Sequence, residues 1–285
     1  MMRRKSWQKN LKIAVAALLI IYAVEHILTM NVYLRKPMLF SPLFRVYNQS
    51  GSEPHCPSVR LSTRVLPQIA LASYPGSGNT WVRHLLQQMT GIATGSIYND
   101  EQLRHNGFPG ESLSNGSVVA VKTHNHYAGK DYARAILLIR NPYESMLSLF
   151  KLANSNHTGE PSVDRYGKQW GTFTEERIRG YIPLFASWIK LQDVLPIFYD
   201  ALKQNLTREL VRIKAFLGQS GIKGDVRCAL RDSEGHFHRK ETGITLEFFY
   251  SKKQRMAVNS VIDQMQKMFK DRFENIREDM DTWKL

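Results

Sequence analysis

Residues 73–81 read Ser73-Tyr-Pro-Gly-Ser-Gly-Asn-Thr-Trp81 and follow the short apolar run Ile69-Ala-Leu-Ala72. This order, an apolar strand and then a glycine-bearing turn, is typical of a strand-to-helix phosphate loop. Gly76 and Gly78 let the backbone bend sharply, and the exposed N–H groups at the start of the next helix favour an anion. The residue after Gly78 is Asn79 rather than lysine, so the pattern of ATP- and GTP-binding loops fails. A structural turn without a ligand is the alternative for this segment alone.

Two further apolar runs also end in polar side chains. Val118-Val-Ala-Val121 runs into Lys122-Thr-His124, and Ala135-Ile-Leu-Leu-Ile139 runs into Arg140. The carboxyl ends of parallel strands line the ligand crevice of an open α/β sheet, so we expect these groups and the glycine loop to share one pocket. Alternation along a strand points Lys122 and His124 to the same face.

The rest of the chain alternates between short apolar runs and helical segments. The residues Val194–Tyr199 form the end of a predicted fourth strand. Helices are predicted over 80–89, 207–217 and 252–273. Asn141-Pro-Tyr-Glu144 predicts a helix start, with Asn141 as N-cap, Pro142 in first position and Glu144 as capping-box partner. Strands alternating with helices indicate an α/β fold with a mostly parallel central sheet flanked by helices.

Taken in order, these segments resemble the sulfotransferases that use 3′-phosphoadenosine 5′-phosphosulfate (PAPS). Residues 73–81 are similar to the family's 5′-phosphosulfate loop, and Ile136–Ser148 to its 3′-phosphate segment. Lys122-Thr-His124 is similar to the Lys-Thr-His of the cytosolic branch, Phe198-Tyr-Asp200 to a Tyr-Glu-Asp region, and Arg239-Lys240 to a late cofactor loop. The resemblance covers roughly residues 68–265. It is strongest to sulfotransferase-like proteins related to members that carry WSC domains, here without the WSC module.

The resemblance implies a P-loop-like sulfotransferase fold over residues 67–285, with a role for each matching residue. His124 is the implied catalytic base, and Lys122 beside it stabilises negative charge on the transferring group. Arg140 and Ser148 would hold the 3′-phosphate of the donor. The other implied donor-binding residues are Ser77, Gly78, Asn79, Thr80, Trp81, Tyr199, Arg239 and Lys240. A second candidate base is His126, and carboxylate alternatives are Glu101, Glu111 and Asp131.

One departure from the family pattern concerns the glycine loop. Gly76 stands where the family has lysine or arginine, a cation that aids departure of the bridging oxygen. Lys122 or Lys240 could supply that charge. Glu241 also replaces the glycine that usually follows Arg-Lys. The competing hypothesis is therefore a non-catalytic lumenal protein that keeps the fold and binds nucleotide or acidic glycan.

The first residues differ from the rest of the chain. Basic side chains up to Lys12 precede an uninterrupted apolar run of twelve residues, Ile13–Val24. Basic flanks stay cytoplasmic, so we predict a cytoplasmic tail over 1–10, a signal-anchor transmembrane helix over 11–30 and a lumenal stem over 31–66. A cleaved signal peptide is the alternative. The expected product is a single-pass type II membrane protein, with the Golgi as its compartment and the catalytic domain in the lumen.

Two further features fit a lumenal address. Asparagines start N-glycosylation sequons at Asn48, Asn115, Asn156 and Asn205. Cys56 and Cys228 are the two cysteines of the chain, and in an oxidising lumen they could pair; two unpaired thiols are the alternative.

Charge and composition limit the classes of binding partner that the sequence favours. The net charge of +14 favours anionic partners, such as acidic glycans, membrane headgroups or a polyphosphorylated co-substrate. The globular part has no basic run interleaved with aromatics, which argues against nucleic acid. His124 and His126 alone approach metal-ligand spacing, so no metal is expected. The expected acceptor is a glycan, acidic or neutral, with sialylated chains as one candidate from the WSC-type resemblance.

Overall fold

The computed structural model describes residues 53–129, 131–155, 159–235, 237, 245–273, 276 and 279–285. The predicted tail, the predicted anchor and the stem up to residue 52 lie outside the described residues, as do Asn48, Asn156, Arg239, Lys240 and Glu241. Among the residues that are described, no helix combines the length and the apolar character needed to cross a membrane.

A parallel sheet forms the centre of the described domain. Its five strands there are β1 (Ile69–Ser73), β2 (Gly95–Ser96), β3 (Val121–Thr123), β4 (Arg134–Ile139) and β5 (Val194–Phe198). They lie in the order β2-β3-β1-β4-β5, and every pairing is parallel. All residues of β1 and β4 are buried, which explains their continuous apolar sequences. The predicted α/β class with a parallel central sheet is confirmed.

Helices surround the sheet. Within the described ranges they are α1 (Asn79–Thr90), α2 (Glu101–His105), α3 (Pro142–Asn154), α4 (Val163–Arg177), α5 (Tyr181–Trp188), α6 (Tyr199–Gln204), α7 (Leu206–Gly218), α8 (Val226–Arg231), α9 (Leu246–Phe249) and α10 (Lys252–Arg272). Two 3₁₀ turns add to them, Ile178–Gly180 and Met280–Trp283. The helices predicted from the sequence correspond to α1, α7 and α10, with ends that agree to within one residue, and the predicted helix start at Pro142 is the start of α3.

The strand predicted over 118–121 is displaced in the structure, where β3 begins at Val121. Val121 pairs with Ala70, and β1 begins only one residue earlier, at Ile69. Val118 and Val119 are buried, but they lie beyond the start of β1 and have no partner on it. The fourth strand is also shorter than predicted, because Tyr199 already belongs to α6.

A disulfide joins Cys56, ahead of β1, to Cys228 on α8. The chain is thereby closed into a loop with a sequence separation of 172 residues. Two of the sequon asparagines are described. Asn115 lies exposed in the loop before β3, and Asn205 caps α7, where its side chain accepts a hydrogen bond from the N–H of Arg208 at 3.0 Å.

Candidate active site

The loop between β1 and α1 depends on two glycines with left-handed backbone, Gly76 at φ +82° and Gly78 at φ +91°. A Cβ atom on Gly76 would lie 2.2 Å from the carbonyl oxygen of Ser145, on the backbone of α3. A Cβ atom on Gly78 would lie 2.5 Å from the ring of Tyr199. The loop is therefore pressed between α3 and Tyr199, and only glycine fits at either position.

Two polar side chains of this loop are directed into the protein. The amide of Asn79 donates to the Leu71 carbonyl oxygen and to the Ser73 hydroxyl, each at 3.1 Å. The hydroxyl of Ser77 lies 3.4 Å from that of Ser145, and Ser77 and Asn79 are both buried. We therefore expect the loop to meet an anion through its backbone N–H groups and the half-buried Thr80 rather than through the Ser77 hydroxyl.

His124 leaves β3 beside the end of β1, since Ala72 pairs with Thr123 one residue earlier. Its Nδ1 lies 2.8 Å from the carbonyl oxygen of Ser73. A carbonyl oxygen can only accept, so Nδ1 carries the proton and the lone pair is on Nε2. Burial, followed by the neighbouring Lys122, lowers the pKa of His124 to about 4. The imidazole is therefore neutral at physiological pH, which is the form a general base needs.

Lys122 lies on the same face of β3 as His124. Burial is the main cause that lowers the pKa of its ammonium, to about 8, and the positive charge of Arg83 adds to the effect, while Glu111 and Asp100 oppose it. Its Nζ lies 5.5 Å from the centre of the Tyr98 ring. At neutral pH Lys122 is mostly protonated, and its partly desolvated charge is available to an anion.

Tyr98 is a site residue that the sequence did not indicate. Its hydroxyl accepts a hydrogen bond from the backbone N–H of His124 at 3.0 Å. Its ring stacks on the imidazole, with centroids 5.5 Å apart and planes 29° apart. Tyr98 follows β2, whose two residues are too few to show a strand pattern, so its place at a strand's carboxyl end was not readable.

Arg140 follows β4 and faces the glycine loop. Its Nη1 donates to the Gly76 carbonyl oxygen at 3.0 Å, and its Nε and Nη2 both bind Glu144 Oε2 at 2.9 Å. The prediction that Glu144 completes a capping box is thus wrong. Asn141 caps α3 as predicted, accepting from the N–H of Tyr143 at 3.0 Å, but Glu144 is drawn to the guanidinium instead. Ser148 lies half-buried on the same helix.

The two predicted aromatic residues lie together over the loop. Trp81 and Tyr199 meet edge to face with ring centroids 5.6 Å apart, and Arg140 Cζ lies 4.2 Å from the Tyr199 ring centre. The indole N–H of Trp81 donates to the Ser233 carbonyl oxygen at 2.6 Å. The structure thus brings the loop, Arg140, Tyr199 and Trp81 into one region at the carboxyl ends of β1, β4 and β5.

A cavity of about 580 Å³ opens next to this region. Its lining consists of Pro75, Gly76, Tyr98, Asn99, Asp100, Glu101, Lys122, His124, Leu149 and Leu152.

Most of the alternative candidate bases are placed less favourably for catalysis than His124. His126 and Asp131 are exposed and do not line the cavity, and Glu111 is buried in an ion pair with Arg83 at 2.6 Å. Glu101 does line the cavity. Across the described ranges, no group of three or more His, Cys, Asp or Glu side chains could hold a metal ion.

Comparison with known proteins gives a consistent picture. A family model described as "Sulfotransferase domain" matches residues 66–277. The chain is 42% identical over 193 residues to the WSCD family member GA21586 of Drosophila pseudoobscura pseudoobscura, covering 64% of this chain and 61% of the relative. It is 39% identical over 209 residues to the WSCD family member CG9164 of Drosophila melanogaster, covering 70% and 66%. The chain thus spans less than two thirds of the length of these relatives.

A more distant relative and a solved structure also match this chain. Sulfotransferase 6B1 of Pan troglodytes is 27% identical over 177 residues, covering 53% of this chain and 54% of the relative. Among solved structures, mouse sulfotransferase SULT7A1 complexed with PAP matches with a TM-score of 0.46 and 19% identity, covering 70% of this chain and 84% of that one.

Proposed function

Because this chain belongs to the sulfotransferase family, we propose that it transfers a sulfo group from PAPS to a hydroxyl of a glycan acceptor in the secretory pathway. The observation that carries the proposal is the convergence of three groups at the carboxyl edge of one parallel sheet. These are the glycine loop after β1, the Lys122–His124 pair after β3 and Arg140 after β4. Ligands of open α/β sheets bind at this edge.

The donor needs two anion sites separated by a nucleoside. The N–H groups of the loop and of the first turn of α1 suit the 5′-phosphosulfate, and Thr80 can add its hydroxyl. Arg140 and Ser148 suit the 3′-phosphate. A guanidinium has five N–H groups, and the three contacts that the structure describes use three of them, so two stay available for a phosphate.

The adenine would lie against aromatic surface. Trp81 and Tyr199 present two rings beside the loop, and base–aromatic contacts are a common means of nucleotide binding. Arg239 and Lys240 remain proposed donor-binding residues from the family resemblance alone.

Sulfo transfer mainly requires alignment and charge stabilisation, as phosphoryl transfer does. The acceptor oxygen forms a bond to sulfur while the bond from sulfur to the bridging oxygen breaks, and that oxygen leaves with the electron pair on the nucleotide 5′-phosphate. His124 Nε2 takes the proton of the attacking hydroxyl. Lys122 stabilises the negative charge that grows on the sulfo and bridging oxygens. It lines the same cavity as Gly76, which supports Lys122 as the replacement for the loop cation of the family.

The proposed cellular location depends on residues that precede the described domain. We place residues 11–30 in the membrane as a signal anchor and the catalytic domain in the Golgi lumen. The Cys56–Cys228 disulfide supports an oxidising compartment, where such bonds persist. The exposed Asn115 sequon is compatible with it.

A second candidate is a non-catalytic nucleotide- or glycan-binding protein with the same fold. The observation in its favour is Gly76, because the loop then provides no side-chain charge to the leaving group.

The two candidates are separated by assaying the full-length chain in detergent with labelled PAPS and a panel of sialylated, galactosyl and glycosaminoglycan acceptors. His124→Ala should lower turnover by about 10²- to 10⁴-fold and leave binding of the desulfated product PAP intact. Arg140→Ala should weaken PAP by about 10- to 100-fold and should weaken 5′-AMP, which lacks the 3′-phosphate, much less.

His126→Ala is the matched control for the base, since His126 is exposed and lies two residues from His124. Loss of transfer in His126→Ala with full activity in His124→Ala would overturn the base assignment. PAP binding without transfer to any acceptor would favour the non-catalytic candidate.

A further inference from the structure

The edge of the His124 imidazole is held by Ser73, the last residue of β1. Its Nδ1 lies 2.8 Å from the Ser73 carbonyl oxygen and 3.3 Å from the Ser73 hydroxyl oxygen. The carbonyl oxygen can only accept, so the Nδ1 proton is directed at these two oxygens. Tyr98 contacts the face of the ring and the backbone N–H of His124 instead. Which ring nitrogen carries the proton therefore depends on Ser73.

The hydroxyl of Ser73 is in turn held by Asn79, the first residue of α1. The amide nitrogen of Asn79 donates to the Ser73 hydroxyl and to the Leu71 carbonyl oxygen, each at 3.1 Å. Because the Leu71 carbonyl can only accept, the group that faces both oxygens is the NH₂ group of the amide. Asn79 and Ser73 are both buried. Polar contacts thus run without interruption from the glycine loop through Ser73 to the imidazole.

Packing alone does not explain an asparagine at position 79. Among the described residues, none forms a hydrogen bond with its buried Oδ1. A buried amide oxygen without a partner lowers the stability of the folded protein. The favourable contribution of this side chain therefore comes from its NH₂ group, which contacts Leu71 and Ser73.

Resting on the proposed function, we propose that Asn79 and Ser73 are positioning residues, which hold His124 with its proton on Nδ1 and leave the Nε2 lone pair for the acceptor hydroxyl. In the other tautomer, the Nδ1 lone pair would face the Ser73 carbonyl oxygen, and Nε2 would already carry a proton and could not take another. The Asn79 side chain thus serves the base rather than the donor, although Asn79 belongs to the loop that meets the donor.

Steady-state kinetics and PAP binding of the full-length chain in detergent test this role. Asn79→Ala and Ser73→Ala should each lower kcat by about tenfold and change the affinity for PAP by less than about twofold. Thr80→Ala is the matched control, because Thr80 follows Asn79 in the chain and is proposed to donate to the 5′ end of the donor. It should weaken PAP by about tenfold.

A second set of variants asks whether the two residues act through the base. In a His124→Ala background, Asn79→Ala and Ser73→Ala should cause no further loss of kcat. Ser73→Ala keeps the bond between Asn79 and the Leu71 carbonyl oxygen, so it tests the role even if Asn79→Ala does not fold.

Nitrogen NMR spectroscopy of the chain with isotope-labelled histidine reports the tautomer of His124 and needs no acceptor. We expect Nδ1 to carry the proton in the wild type and in Thr80→Ala. The fraction with the proton on Nε2 should rise by about three- to tenfold in Asn79→Ala and Ser73→Ala. Absent transfer by the wild type would count against the proposed function, and the tautomer measurement would still decide the inference.

Three results would overturn the inference. The first is a tautomer ratio that neither variant changes. The second is an Asn79→Ala variant with weaker PAP binding and normal kcat, which would make the Asn79 side chain a donor ligand. The third is a further tenfold loss of kcat when either substitution is added to His124→Ala.

Discussion

Replacing Gly76 by alanine should destabilise the protein more than the same replacement at Gly107. Both glycines have left-handed backbone, with φ of +82° and +95°. An alanine pays about 1–2 kcal/mol at either position for that conformation. At Gly107 nothing lies within 4 Å of the added Cβ, whereas at Gly76 the Cβ would lie 2.2 Å from the Ser145 carbonyl oxygen and 3.0 Å from the Leu149 backbone nitrogen.

The contacts at Gly76 are backbone atoms of α3, which cannot rotate away as a side chain can. Overpacking of this kind costs about 1–3 kcal/mol beyond the backbone term. For a domain of this size, 1 kcal/mol corresponds to a shift in Tm of about 2–4 °C. The Tm of Gly76→Ala should therefore lie about 2–12 °C below that of Gly107→Ala.

Thermal and denaturant unfolding of the two variants measure this difference directly. Affinity for PAP gives a second measurement, because Arg140 donates to the Gly76 carbonyl oxygen and a displaced loop disturbs both anion sites. Gly76→Lys, which restores the cation of the family pattern, should not raise turnover. Equal Tm values for the two alanine variants, or a Gly76→Lys variant that is stable and faster than wild type, would refute the steric reasoning.

Activity, positioning and stability can be tested at other positions. Transfer measured as kcat/KM should decline above about pH 8, where Lys122 loses its proton, and should persist down towards pH 4, where His124 gains one. Lys122→Arg should move the alkaline decline to higher pH. Tyr98→Phe should lower kcat about tenfold in steady-state kinetics, because the His124 N–H loses its acceptor, while PAP affinity stays constant. Replacing Cys56 and Cys228 by serine should lower the free energy of unfolding by about 2–5 kcal/mol in denaturant titrations.

Each of these predictions can be contradicted by a specific result. An alkaline decline that Lys122→Arg does not move would belong to another group. A Tyr98→Phe variant with normal kcat would show that ring stacking alone orients His124. Unchanged unfolding of the serine variant would mean that the noncovalent contacts already hold Cys56 and Cys228 together.

The features that the sequence predicted well are those encoded locally. β1 and β4 are continuous apolar runs because both faces of a central parallel strand are buried. The start of α3 was readable because Asn141 and Pro142 satisfy a helix N-terminus by themselves. The polar residues after β1, β3 and β4 were readable because a parallel sheet collects its strand ends at one edge.

The features that the sequence did not predict depend on distant partners. Glu144 suits a capping box and an ion pair with Arg140 equally well, and only the position of the guanidinium against Gly76 decides between them. Tyr98 follows a strand of two residues, which leaves no periodic signal. The glycine at position 76 is visible as a missing cation, but its steric cause lies in α3, far along the chain.

The disulfide has a mechanical consequence. If the chain is pulled from its two ends, tension passes from Cys56 straight to Cys228, and the residues between them bear no load. The glycine loop, Lys122, His124, Arg140 and Tyr199 all belong to this unloaded part. Reduction would bring the 172-residue separation into the line of force and add about 600 Å of extensible length. The same covalent bond thus keeps the residues between the two cysteines out of the line of force when it is oxidised, and brings them into it when it is reduced.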